Sequence, residues 1–253
     1  LSALEIALLV FLCCCGAALA GLVLHSKLPD NHLDGDSKDA VKLVMGLIAT
    51  LAALVLGLLI ASAKTSYDTQ AAEMQQLAAS IMQLDRMLVL YGPETREARD
   101  ALKQAVTEVH QKIWPASNSQ PANLDPSLNR NQADIFYEKL ESLSPKTEAQ
   151  RNAQNAALQL GTTLAQTRML MFEQVNGSIA WPFLMILVFW VSVLFLGFGL
   201  FARFHITIAV ALIVGALSVS SAVFLILELN TPYQGMMQLS DAAFRNALSH
   251  IDR

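Results

Sequence analysis

The chain predicts an all-α membrane protein: four transmembrane helices, with a helical domain inserted between the second and third. Three observations carry this. Four apolar blocks, about Ala3–Leu24, Val41–Ala63, Ile179–Phe201 and Ile206–Leu227, are each near the ~20 residues that a helix needs to cross a bilayer. The intervening residues 64–177 are polar, yet their apolar residues recur at helical spacing. The alternating apolar pattern of a half-buried strand appears nowhere at convincing length. The composition agrees, with 54% hydrophobic residues and a mean hydropathy of +0.42.

The first block has no basic start, since Glu5 is its only early charge, and it runs longer than the apolar core of a signal peptide; it reads as a retained span. Cys13, Cys14 and Cys15 fall in its middle. Neighbours on a helix point in different directions, and no fourth cysteine exists to complete a metal site, so these read as small apolar residues in lipid or in a helix seam. The loop over residues 25–40 turns at Pro29 and at Asp34-Gly35. Asp36 or Ser37 is placed to N-cap the second span, with Asp39 set for a capping box. His32 lies among Asp30, Asp34 and Asp36, but the spacing and terminal Glu of a calcium-binding loop are missing, and hydrated turn residues account for the group.

The second block is the most informative. Gly46, Thr50, Ala53, Gly57 and Ala61 recur at steps of three and four and share one helical face, with Leu47, Leu51, Leu54 and Leu58 on the adjoining face. The small stripe continues to Lys64 and Asp68. A small, weakly polar stripe ending in charges suits close helix packing or a pore lining, packing being the usual role of such seams in membranes.

Past Lys64 the apolar residues take heptad spacing through Met74, Leu77, Ile81, Leu84, Leu88 and Tyr91, which predicts that the second span continues as a long amphipathic helix. Gly92-Pro93 ends it and opens another, with Ala98, Leu102, Ala105 and Val109 on the buried face. Residues 115–132 contain three prolines among Asn and Ser and read as a loop. A short helix is expected over Asp134–Leu143. Pro145 stops it, and a longer helix from about Thr147 carries Ala153, Ala157, Leu160, Leu164 and Met171. These narrow stripes bury little alone, so a bundle or a subunit interface is implied.

A tight turn at 201–205 joins the third and fourth spans. The fourth carries Ala211, Gly215, Ser218 and Ala222 on one face and closes at Glu228. Beyond Pro232 and Gly235, Ser240 caps a last helix with Phe244, Leu248 and Ile251 on one side, suited to a membrane surface or to the bundle. The expected divisions are 1–63 for spans one and two, 64–177 for the domain, 178–228 for spans three and four, and 229–253 for the C-terminal segment.

No metal-ligand spacing, phosphate-cradling loop or nucleophile-base pattern is present, and the five histidines are scattered. This argues against an enzyme and against a cofactor. A net charge of −4 offers no footprint for nucleic acid. Ionisable residues at membrane boundaries, Lys64, Asp68 and Glu228, are the remaining functional candidates, either as a working site or as interfacial anchors with an ion pair. Four spans put both termini and the domain on one side, but Lys and Arg are almost evenly divided between the two sides, so charge does not fix the orientation.

Four segments together resemble the bacterial bestrophin-like family, named for a distant likeness to bestrophin anion channels. They are Leu28–Asp68, LDRMLVLYGPE at Leu84–Glu94 with Arg99 following, QTRMLMFEQ at Gln166–Gln174, and LELNTPYQGMMQLSDAAFRNAL at Leu227–Leu248. The likeness runs through nearly the whole chain in order. Bestrophins are pentameric anion channels whose second helix lines the pore and whose helical domain and termini are cytosolic. The resemblance therefore implies a multi-pass protein of the bacterial inner membrane, with domain 64–177 and the termini cytoplasmic. It further implies a homo-oligomer, pentameric by analogy, with Gly46, Thr50, Ala53, Gly57 and Ala61 at the axis and anions as the conducted species. The stripe lacks the bulky constriction residues of bestrophins, and the third span opens on its own Trp181-Pro182. A non-conducting scaffold or signalling subunit, whose domain binds partners, is the competing expectation.

Overall fold

The computed structural model describes residues 2–27, 35–115, 130–176, 181–201 and 205–251. Eight helices are described: α1 Ala3–Lys27, α2 Gly35–Tyr91, α3 Arg96–Ile113, α4 Arg130–Glu141, α5 Glu148–Asn176, α6 Trp181–Phe201, α7 Ile206–Leu229 and α8 Ala242–Ile251, with a 3₁₀ turn over Pro93–Thr95. No strand occurs among the described residues. Four helices, α1, α2, α6 and α7, are long and apolar enough to cross a membrane. The chain divides into two compact units, Leu1–Ser66 with Ser178–Asn230, and Tyr67–Gly177 with Thr231–Arg253.

In the first unit α1 packs along both α6 and α7. A capping box starts α1: the Ser2 N–H donates to Glu5 Oε2 at 2.9 Å, and the Glu5 N–H donates to Ser2 Oγ at 3.2 Å. Its buried face, Ala7, Val10, Cys14, Ala18 and Gly21, steps by threes and fours. The crossing with α6 is close enough to require glycine on both helices. A Cβ on Gly21 would collide with the Leu196 carbonyl, and one on Gly199 with the Ala18 carbonyl. Lipid supplies little hydrophobic drive between helices, so this backbone proximity, with its dense dispersion contacts, is what holds them together. Two polar contacts pin the register: His25 Nδ1 lies 2.8 Å from the Leu200 carbonyl, and the Ser220 hydroxyl of α7 donates to the Ala7 carbonyl at 2.7 Å. The cysteines diverge. Cys14 is fully buried, Cys15 half-buried, and Cys13 exposed with its Sγ 3.3 Å from Ser192 Oγ.

The small stripe of α7 faces mostly outward: Ala211 and Ser218 are exposed and Gly215 and Ala222 half-buried, while Ala216, Ser220, Val223 and Leu227 turn inward. One local expectation is corrected. At the start of α2, Asp36 and Ser37 lie inside the helix, and Asp39 pairs with Lys42 at 3.0 Å, a surface ion pair where a capping box was expected. Asp30, His32 and Asp34 lie outside the described residues.

The second unit is an amphipathic bundle. Every residue of the heptad stripe, Met74, Leu77, Ile81, Leu84, Leu88 and Tyr91, is buried. Ala98, Ala101, Leu102 and Val106 of α3, Phe136 and Leu140 of α4, Ala157 and Met171 of α5, and Phe244 and Ala247 of α8 complete this core. Thr147 starts α5, its Oγ1 accepting from the Gln150 N–H at 3.2 Å, and Gln150 in turn accepts from the Lys146 N–H at 2.8 Å. The last helix begins where expected: the Ala242 N–H reaches Ser240 Oγ at 3.3 Å.

The α1–α6 crossing yields a direct test. Gly21→Val and Gly199→Val should each destabilise the detergent-solubilised protein by about 1–3 kcal/mol or more, as overpacking does. Gly16→Val, at a position where a Cβ meets nothing within 4 Å, should be near neutral. Thermal unfolding of the three variants measures the contrast.

Candidate functional site

Two features qualify: the small face of α2 and the polar anchors around the α2–α3 turn. The spacing of Gly46, Thr50, Ala53, Gly57 and Ala61 puts them on one side of α2, and all five are exposed. A Cβ added to Gly46 or Gly57 would meet nothing within 4 Å. The adjoining Leu47, Leu51, Leu54 and Leu58 are exposed as well. What α2 buries in its own unit is a third face, at Met45, Ala52 and Ala63, with the Met45 thioether seated where a Gly197 side chain would be. Among the described residues the small stripe is exposed along its length, with Gly46 at the edge of a groove shared with Gly197 and Phe198 of α6 and Ile208 of α7. Thr50 donates to the Gly46 carbonyl at 2.9 Å, so its proton is used within the helix and its lone pairs face outward. Lys64 and Asp68 follow one turn apart, both exposed, whereas Glu228 at the end of α7 is buried.

The α2–α3 turn is built around Gly92, at φ 130° and ψ −175°, a region essentially restricted to glycine. Thr95, almost fully buried, donates its hydroxyl within reach of two carbonyls, Leu88 at 2.7 Å and Gly92 at 2.8 Å, and the Gln150 amide donates to the Tyr91 carbonyl at 3.1 Å. These bonds satisfy two of the last four carbonyls of α2, those of Leu88 and Tyr91. The turn delivers Arg99 to Asp85. Arg99 Nε donates to Oδ1 at 2.6 Å and Nη2 to Oδ2 at 3.2 Å, a bidentate pair in which Asp85 is only 9% exposed. The same Nη2 reaches the Ile251 carbonyl at 3.1 Å, placing a cation at the C-terminal end of α8, where the helix dipole favours it.

α3 also holds the start of α8. His110 Nε2 lies 3.1 Å from Asp241 Oδ2, and the Trp114 indole N–H, just past α3, donates to the Leu239 carbonyl at 2.9 Å; within the segment Arg245 pairs with Asp241 Oδ1 at 3.1 Å. Rings of His110, Trp114 and Phe244 follow one another at centroid distances of 5.4 and 5.5 Å. Tyr233 is buried in the same unit; burial, aided by the Glu73 charge, pushes its phenol above the usual range, so it stays neutral. Sequence reasoning located Arg99 and the 227–248 motif without assigning their roles. A lone Asp and a lone Arg fourteen residues apart carry no pairing signal until a turn brings the two helices together. Among the described residues no three His, Cys, Asp or Glu gather as a metal site.

Removing one partner of this pair should be costly, because the other is left charged and only partly exposed to water, Arg99 at 25% and Asp85 at 9%. Asp85→Ala is expected to lower stability by roughly 3 kcal/mol, and Arg99→Lys, which loses the fork geometry and the Ile251 contact, by less. Gly92→Ala should cost about 1–3 kcal/mol through backbone strain alone. Chemical unfolding followed by circular dichroism checks the order.

Neither the curated proteins nor the solved structures contain a match to this chain. The model of the bestrophin-like domain matches residues 12–244, a stretch that takes in α2 with its exposed small face, the Asp85–Arg99 turn and the segment that docks against α3. With nearly the whole chain covered, the protein belongs to the bestrophin-like domain family.

Proposed function

We propose that this chain is one subunit of an oligomeric anion channel of the bacterial inner membrane, with α2 lining the pore. The observation that carries the reading is the uncovered small face of α2. A polytopic protein covers the faces of its helices with its own chain, with lipid or with another copy. Lipid has no preference for a stripe of Gly, Ala and Thr, whereas an axis shared by identical subunits needs a narrow, weakly polar wall. Exposed leucines on the adjoining face suit contact with a neighbouring subunit or with acyl chains.

The length of α2 supports an extramembrane domain. Its 57 residues reach about 85 Å at 1.5 Å per residue, against a hydrocarbon core of about 30 Å, and its apolar block ends near Lys64. In this reading the bundle formed by residues 67–177 with 231–253 lies in the cytoplasm, and Lys64 rings the cytoplasmic mouth. Five lysines there would raise the local anion concentration, and Asp68 would offset part of that field. The pentamer and the orientation are carried over from bestrophins by analogy.

Chloride flux into proteoliposomes tests the channel. Wild-type protein should conduct. Ala53→Trp should cut flux at least tenfold while native mass spectrometry still finds the oligomer. Lys64→Gln should lower the preference for anions over cations. No flux from an intact wild-type oligomer would turn the reading toward a scaffold, a monomer at all concentrations would remove the axis, and a reporter fused after Arg253 that works only in the periplasm would reverse the orientation.

A further inference from the structure

The second unit contains a cavity of about 300 Å³ that neither the pore face nor the Asp85–Arg99 turn uses. Its walls come from five helices: Leu77 and Ile81 of α2, Val106 of α3, Phe136 of α4, Leu164 of α5 and Phe244 of α8. Its polar groups are Asp134, Tyr137 and Arg168. Asp134 and Ala165 are exposed and Arg168 is half-buried, so the mouth opens between α4 and α5, while Leu84 and Phe244 at the back are fully buried. Tyr137 is fixed at the wall by Gly161, where a Cβ would come within 2.9 Å of the tyrosine oxygen, and burial holds its phenol above the usual range. A partly enclosed, mostly apolar cleft of this size with a few convergent polar groups has the form of a small-molecule site.

We infer that this cavity binds a small uncharged amphiphile, an alkyl or aryl body with a single hydroxyl or amide head. Size sets the body: 300 Å³ accommodates roughly ten groups of the ~30 Å³ that one water occupies in the liquid. The polar groups set the head. Arg168 donates, Asp134 accepts, and the Tyr137 hydroxyl does both, so a head that both donates and accepts is matched. Asp134 and Arg168 carry opposite charges that sum to zero at the mouth, so a charged head gains no net field there to offset its desolvation. An apolar body of this kind gains by leaving water for a dry wall, and a neutral head keeps desolvation low.

The test exposes the full chain in lipid nanodiscs to a diazirine-bearing decanol, followed by photolysis and peptide mapping. Label is expected on peptides covering 77–84, 102–109, 133–137 and 161–168, and should fall at least tenfold with excess unlabelled decanol. Ala105→Trp, whose indole fills the space, should abolish it. Leu164→Phe fills less and serves if the tryptophan variant loses helicity, and competition in the wild-type chain stands without either variant. Decanol should compete several-fold better than decanoate or decylamine. Label confined to the membrane-spanning helices, or label at the cavity that neither competitor nor filled variant reduces, overturns the site. Equal competition by all three compounds overturns the neutral head.

Discussion

The close crossing of α1 and α6 is the contact on which the membrane unit depends. Glycines on both helices bring two backbones together, and the Ala18, Leu196 and Ser220 contacts leave no room for a different register. Because α1 also takes the inner face of α7, three spans satisfy one another. The fourth, α2, is left with only a narrow face covered, at Met45, Ala52 and Ala63. The exposure of its small stripe follows from how α1 is used, and a partner outside the unit becomes a physical requirement of the proposed assembly.

In the second unit the helices are amphipathic. Heptad spacing replaces the continuous apolar run, and the buried face becomes leucine, methionine and tyrosine. Against this core lies the Asp85–Arg99 pair. Buried ion pairs seldom add much net stability, since desolvation offsets the attraction, but they penalise every arrangement in which the partners part. Asp85 and Arg99 have this character, and the Arg99 contact with Ile251 extends the penalty to the docking of α8. Trp114 and His110 hold Leu239 and Asp241 at the start of that helix, so the C-terminal segment is a built part of the bundle.

Much of this was legible in the amino-acid order. The span lengths, the continuation of α2 past Lys64, the break at Gly92-Pro93 and the buried stripes of the bundle helices all follow from local physics: a bilayer demands a set length of apolar helix, an amphipathic helix repeats every 3.6 residues, and glycine next to proline ends one helix and begins the next. The resemblance in the 28–68, 84–94 and 227–248 segments was also a property of the order alone, and the match over 12–244 agrees with it.

Which faces meet was settled in three dimensions. On α2 and α7 the small residues repeat with equal clarity, yet the α2 stripe is exposed and that of α7 only half-buried at Gly215 and Ala222; Ala216 and Ser220 turned inward on α7, and Cys14, Ala18 and Gly21 did so on α1. A small side chain permits close approach without attracting it, so the choice falls to whichever pair of helices fits best along its whole length. The same holds for Asp85 with Arg99 and for the cavity between α4 and α5: both depend on residues distant in the chain, and helical periodicity carries no information about which distant helix will be the neighbour.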